Sequence, residues 1–151
     1  MIKLIAIVDS DWGISKNGKV PWSFSEDRKL FRKKTINGVV VMGKNTFFSL
    51  PQPLEGRINC VVSESLECVD GVKIFRSLEK TIAEYDDLWI IGGAKLYDHA
   101  LKNDLVDYAL ITQVQKNRAA DKFIDASYFN KFSRRVLFKN EKYSIAKYER
   151  A

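Results

Sequence analysis

A chain of 151 residues, 46% apolar and 29% charged, has the length and composition of one globular domain with a real core. Its formal charge of +6 favours anionic partners (nucleic acid, a phosphorylated cofactor or a polycarboxylate), although a basic surface can equally be only a solvated one. Two cysteines exclude a disulfide framework, the single histidine His99 argues against a zinc site or a nucleophile–histidine pair, and no apolar run reaches membrane-spanning length.

The opening MIKLIAIVDSD meets acids too early for a signal peptide and reads as a buried strand over 2–8, so a cytoplasmic protein is expected. Further strands are predicted at 39–42 (VVVM), 58–63 (INCVVS), 72–75 (VKIF), 88–91 (LWII) and 108–114 (YALITQV). Helical patterns lie between them near 24–35, 44–50, 77–85 and 94–102. Continuous apolar strands alternating with helices imply a mainly parallel sheet covered on both faces. The tail differs: RRVLF (134–138) and YSIAKYE (143–149) are separated only by KNEK, which indicates an antiparallel hairpin. The fold class is therefore α/β, a single domain over residues 1–151.

Ligands of such sheets bind beyond the carboxyl ends of the strands. After the first strand comes DSDWGISKNGKVPW, a long glycine-containing loop with the length of a lid. After the second, Gly43 opens a helix with Lys44, Asn45 and Thr46 in its first turn; after the fifth, Gly92-Gly93 opens another with Lys95. Free N–H groups and a cation at a helix start suit phosphate, and two such places suit a dinucleotide, although strand–glycine–helix is also the ordinary α/β turn. GVVVMGKN (38–45) is not a nucleoside-triphosphate loop, because its middle is a strand and Asn45 replaces the metal-binding hydroxyl. GGAKLY lacks the third glycine of a Rossmann turn, so a dinucleotide would bind on another scaffold. Asp27 is the odd residue. It shares the apolar stripe of a basic helix with Phe24, Leu30 and Phe31, while Arg28, Lys29, Arg32 and Lys33 point outward. An acid there can serve the helix dipole or grip a ligand.

The order IAIV, a loop ending in PW, a helix with Asp27 and Phe31, VVMGKNTF, PLEGRINCVVS, IIGGAKLY, ITQV and a two-stranded tail resembles the dihydrofolate reductase family over essentially the whole chain. The resemblance implies a mostly parallel eight-stranded sheet with flanking helices, NADPH as cofactor, a small-molecule substrate and a monomer. It implies that Asp27 is the catalytic acid, holding the pterin through two parallel hydrogen bonds with a pKa raised by desolvation. Thr112 would orient that acid, and the carbonyls of Ile5 and Ile91 would accept from the pterin amino group. Phe31, Leu50 and Leu54 would pack the ring and benzoyl group, and Arg57 would bind the α-carboxylate. On the cofactor side it implies Ala6, Ile7, Ile14, Gly43, Lys44, Asn45, Thr46, Ser63, Arg76, Gly92, Gly93, Ala94, Lys95, Leu96 and Tyr97, with a cis peptide between the glycines.

Several positions depart from the family pattern. Ser15 stands where a second glycine is usual and Val20 precedes Pro21-Trp22, both bearing on lid mobility. Glu64 opposes a 2′-phosphate that Lys44 and Lys95 attract. Arg28 stands where many relatives carry an apolar residue; it reads either as an ordinary surface residue of the helix or as a partner of Arg57 for a substrate carboxylate. AADKFID (119–125) shortens an acidic loop, keeping Asp121 but adding Lys122. Two rivals stay open: a same-fold reductase of another heterocycle, and a nucleic-acid-binding module using the basic helix face. The second wants aromatic residues interleaved with those charges, and the sequence offers none.

Overall fold

Strands of β-branched and apolar residues that alternate with helices can bury both faces only by pairing in parallel, and this chain does so. The computed structural model describes residues 1–17, 24–117 and 119–150. In chain order the elements are β1 (Ile2–Val8), β2 (Gly13–Ser15), α1 (Ser25–Thr35), β3 (Val39–Gly43), α2 (Lys44–Ser49), β4 (Ile58–Val62), β5 (Lys73–Phe75), α3 (Leu78–Glu84), β6 (Leu88–Ile90), α4 (Ala94–Lys102), β7 (Tyr108–Val114), β8 (Lys122–Phe123), a 3-10 turn (Ala126–Lys131), β9 (Phe132–Lys139) and β10 (Tyr143–Arg150).

Eight strands form one sheet in the order β5-β4-β3-β6-β1-β7-β10-β9. The first six pair in parallel, and β10 pairs antiparallel with both β7 and β9. This is the expected sheet with its antiparallel tail. A second, two-stranded ribbon joins β2 to β8. That ribbon was not expected, because neither strand is long enough to show a period in sequence.

The sheet separates two cores. On one face Leu4, Ala6, Val8, Ile90, Ile111 and their neighbours pack with α3, α4 and the 3-10 turn. On the other, Ile5, Val40, Met42, Phe47, Trp89 and Leu110 pack with half-buried Leu30, Phe31, Leu50, Leu54 and Ile91. Alternate residues of β1 serve opposite cores, as the period of a strand requires. At the outer edge, β9 carries a bulge: Ile145 pairs with Phe138 but Ala146 with Val136, leaving Leu137 unpaired. Val136, Leu137 and Phe138 are exposed there beside Arg134, Arg135 and Lys139. Among the described residues no helix is long and apolar enough to cross a membrane, and no group of His, Cys, Asp and Glu could hold a metal ion.

Candidate active site

The chain runs outward from β1 through β3, β4 and β5, then returns to place β6 between β3 and β1. The carboxyl ends of β1, β3, β6 and β7 therefore converge where strand order reverses, the place where an α/β sheet opens a crevice. Gly43 N donates to Gly92 O at 2.9 Å and Ile91 N to Val41 O at 3.0 Å, so the two glycine turns that end β3 and β6 touch. The Gly92-Gly93 peptide is cis, as the resemblance implied.

Neither Gly43 at the start of α2 nor Gly93 at the start of α4 supplies a side-chain cap, which leaves first-turn N–H groups for another acceptor. A Cβ at Gly93 would meet Thr46 Oγ1 at 3.3 Å, and one at Gly92 would meet Thr46 Oγ1 and the Tyr97 hydroxyl at 3.4 Å. The glycine pair thus floors a cradle walled by two hydroxyls. Tyr97 is buried on α4 and its phenol donates to Ile5 O at 2.8 Å. Burial first, and the nearby Asp27 charge second, push that phenol's pKa up.

Asp27 stands half-buried in the first turn of α1. Burial raises its pKa; a hydrogen bond with the Thr112 hydroxyl and the Arg28 charge oppose that rise without cancelling it. Thr112 is only 2% exposed, with Ile7 of β1 and Ile145 of β10 beside it in the ladders. The phenol of α4 thus links the carboxyl of α1, through its charge, to the Ile5 carbonyl of β1, through a hydrogen bond.

Arg57 is held before any ligand arrives. Its Nε donates to Glu55 O at 2.9 Å and its Nη1 to Thr35 Oγ1 at 3.1 Å, with the guanidinium 6.0 Å from the Phe31 ring centroid. Burial, then the Arg32 charge, lower its pKa from a very high ordinary value. Asn59, which sequence reasoning missed, braces this loop. Its buried amide accepts from Leu54 N at 2.9 Å and donates to Leu54 O at 2.9 Å and Arg57 O at 3.0 Å. Leu50 and Leu54 join Phe31, Ile5 and Ile91 as one apolar wall.

The remaining predicted residues divide. Lys44, Asn45 and Lys95 are exposed near the two helix starts, and Lys44 Nζ donates to Ser65 Oγ at 3.3 Å. Ser63 Oγ accepts from Ser65 N at 3.2 Å and Leu66 N at 3.1 Å, while Arg76 Nη1 donates to Ser63 O at 2.9 Å and Leu66 O at 2.6 Å. Both residues thereby shape the loop after β4. Ala6, Ile14 and Leu96 lie within the α3–α4 core, Ile7 and Ala94 are half-buried, Arg28 and Glu64 are exposed on the surface, and the single histidine His99 is spent at the surface on Glu79 at 2.9 Å.

The loop after β1 is pinned at its start. Asp9 Oδ1 accepts from Asp11 N at 2.9 Å and Gly13 N at 2.8 Å. Gly13 cannot carry a side chain, since its Cβ would fall 2.3 Å from that of Ala120. Asp121 N donates to Ser15 O at 3.0 Å and Asp121 Oδ2 accepts from Asn17 N at 2.9 Å, so the shortened acidic loop does contact the start of the loop after β1. Val20, Pro21 and Trp22 lie outside the described residues.

Comparison with known proteins agrees with this geometry. The family model for dihydrofolate reductase matches residues 1–150. A putative dihydrofolate reductase of Caenorhabditis elegans is 34% identical over 154 residues, covering 88% of this chain and 82% of its own. Dihydrofolate reductase type 9 of Escherichia coli is 32% identical over 140 residues, covering 85% and 78%. The solved structure of dihydrofolate reductase from Enterococcus faecalis complexed with NADP(H) and RAB-propyl superposes with a TM-score of 0.83 at 25% identity, over 99% of this chain and 96% of that one. With its sheet order, its Gly-Gly turn and its half-buried acid in the first turn of α1, this chain belongs to the dihydrofolate reductase family.

Proposed function

We propose that the protein reduces 7,8-dihydrofolate to 5,6,7,8-tetrahydrofolate with NADPH, serving one-carbon metabolism. The observation that carries this reading is Asp27, a carboxyl on an apolar wall, hydrogen-bonded to Thr112, with a pKa raised by burial. A flat heterocycle with an amidine-like edge is the ligand such a carboxylate suits, since two parallel N–H groups match its two oxygens. Ile5 O, with one lone pair on Tyr97, has a second for a ring amino group, and Arg57 waits at the far end of the Phe31–Leu50–Leu54 wall for a tail carboxylate.

The residues fit a phosphorylated dinucleotide. The uncapped start of α4 and the Gly92-Gly93 cradle suit a pyrophosphate, with Lys44, Lys95, Thr46 and the loop tied by Ser63 and Arg76 around the remaining phosphate and adenosine. When bound, NADPH supplies the hydride, delivered to C6 of the pterin. Asp27 would stand near N5, and burial makes its carboxyl hold a proton more readily than an ordinary aspartate does. Thr112 orients the carboxyl and Tyr97 fixes the carbonyl beside it. The apolar wall excludes water from the ring. Two unpaired cysteines suit a reducing cytoplasm, and we read the working unit as a monomer without nucleic-acid partners.

Loss of nicotinamide absorbance on adding dihydrofolate tests the reading. Oxidation that needs dihydrofolate, and that Asp27→Asn largely loses near neutral pH, supports it. Protein that binds NADPH but leaves dihydrofolate untouched overturns it in favour of another heterocycle.

A further inference from the structure

Among the described residues, no side-chain N-cap bond holds the turn of α1 that carries Asp27. Its N-cap residue is Phe24, whose side chain makes no cap hydrogen bond, and the Ser25 hydroxyl lies on Glu26 instead. The first helical bond runs from Arg28 N to Phe24 O at 3.0 Å. What grips this end is a ring. Phe24 stacks on Tyr143 with centroids 4.7 Å apart, and Tyr143 stacks on Phe138 at 5.5 Å.

Tyr143 is a fixed support. It opens β10, opposite Val114 of β7, and the hairpin turn before it is locked: Asn140 Oδ1 accepts from Lys142 N and Tyr143 N, both at 2.8 Å, and Asn140 N donates to Tyr143 O at 3.0 Å. Two residues on, Ile145 stands opposite Thr112. Residues directly opposite in an antiparallel pair, and residues two apart in a strand, present side chains to one face. Tyr143 and Thr112 therefore rise from the same face of the sheet and hold the same turn of α1. One grips Phe24 by its ring and the other grips Asp27, three residues later, by its hydroxyl. An acid at the third helical position can reach back to its own N-cap N–H; here it is engaged across the sheet by Thr112. The other end of α1 is secured separately, by buried Thr35 between Phe31 O and Arg57.

We infer that Tyr143 is a positioning residue for Asp27, acting through Phe24 to set the first turn of α1 on the sheet. The inference rests on the dihydrofolate reductase reading above. It assigns a role in substrate binding to the short carboxy-terminal hairpin, which otherwise only extends the sheet. The cofactor cradle, built from β3, β6, α2 and α4, takes no part in it.

The test compares wild type with Tyr143→Ala, Tyr143→Phe, Phe24→Ala and the Tyr143→Ala/Phe24→Ala double variant. Each is assayed for kcat, for KM towards dihydrofolate and NADPH separately, and for the pH profile of kcat/KM. Tyr143→Ala raises KM for dihydrofolate roughly three- to tenfold, the worth of one aromatic pair, and leaves KM for NADPH unchanged. Among the described residues, the groups facing that carboxyl are Arg28 of its own helix, Thr112 of β7 and Tyr97 of α4, all untouched by these variants. Water admitted to the loosened turn lowers the Asp27 pKa, so the alkaline limb of the profile moves to lower pH. Tyr143→Phe keeps the ring and behaves as wild type, and the double variant is no worse than the worse single one.

A Tyr143→Ala enzyme with wild-type KM and pH profile overturns the inference, as do equal losses on both substrates or additive effects in the double variant. If Tyr143→Ala fails to fold, Phe24→Ala carries the same test without disturbing β10. Wild-type protein inactive on dihydrofolate removes the functional reading itself, an outcome distinct from all of these.

Discussion

The Tyr97 phenol donates to the backbone carbonyl of Ile5 at 2.8 Å, tying the first turns of α4 to the middle of β1 inside the core. The bond fixes the direction of the carbonyl that the proposed function assigns to the substrate amino group. Tyr97→Phe removes the donor and leaves the carbonyl buried with one fewer partner. We expect a loss of about 1–2 kcal/mol in stability, measured by urea unfolding, and a weaker grip on dihydrofolate. A variant as stable as wild type would mean that water replaces the phenol.

Asp27 couples stability to pH with a sign that can be worked out. Its folded pKa lies above the unfolded value, because burial penalises the charged form. Below the unfolded pKa, near 3.9, both states are protonated and the group costs nothing. As pH rises through the folded pKa the native state must ionise a half-buried carboxyl, and stability is lost. Asp27→Asn should therefore be more stable than wild type at neutral pH, with the gain shrinking on acidification. The same variant should lose about 10²–10⁴-fold in activity near neutrality. Urea unfolding across that pH range, beside the activity assay, checks both.

Asp121 holds the start of the loop after β1 by two bonds: its side chain accepts from Asn17 N and its own N–H donates to Ser15 O. Asp121→Ala removes only the first, at an exposed site. Stability should change by less than about 0.5 kcal/mol, whereas kcat falls if the loop after β1 serves the reaction. Equal wild-type and variant rates in single-turnover measurements would argue against this coupling.

The two cysteines should separate cleanly under a thiol reagent. Cys60 is fully buried in β4 and burial pushes its thiol up to about 11, while Cys68 is exposed. Native protein should therefore react at Cys68 alone, and Cys68→Ser should be inert until unfolded. Mass spectrometry of the labelled native protein decides it.

Much of this molecule can be read in its sequence for a plain reason. The runs in β1 and β7 are mostly apolar because both faces are buried, and their short length and β-branched residues mark them as strands. Gly43 and Gly92-Gly93 were legible because a strand that turns at once into a helix leaves little choice of residue. Asp27 was conspicuous as an acid on an apolar stripe, but its link to Thr112 joins residues far apart in sequence and came only through the resemblance. The β2–β8 ribbon escaped notice because Gly13–Ser15 and Lys122–Phe123 are too short to carry a pattern and exist only by pairing with each other. Asn59 looked like one polar residue in a strand. Its amide bonds to Leu54 and Arg57 follow from a loop shape that composition does not encode. Arg76 was read as a cation for the cofactor; the structure adds that its guanidinium shapes the loop around Ser63.

The bulge at Leu137 bears on how this protein behaves in a crowded solution. An outer strand with Val136, Leu137 and Phe138 in water is an adhesive edge, and a flat one would recruit copies of itself. The unpaired residue breaks the straight row of backbone groups that a neighbour would need, and Arg134, Arg135 and Lys139 keep like molecules apart. The first of these guards is geometric and indifferent to salt. The second is Coulombic and fades as ions shorten its reach. The colloidal stability of the enzyme therefore depends on ionic strength even where its folding does not.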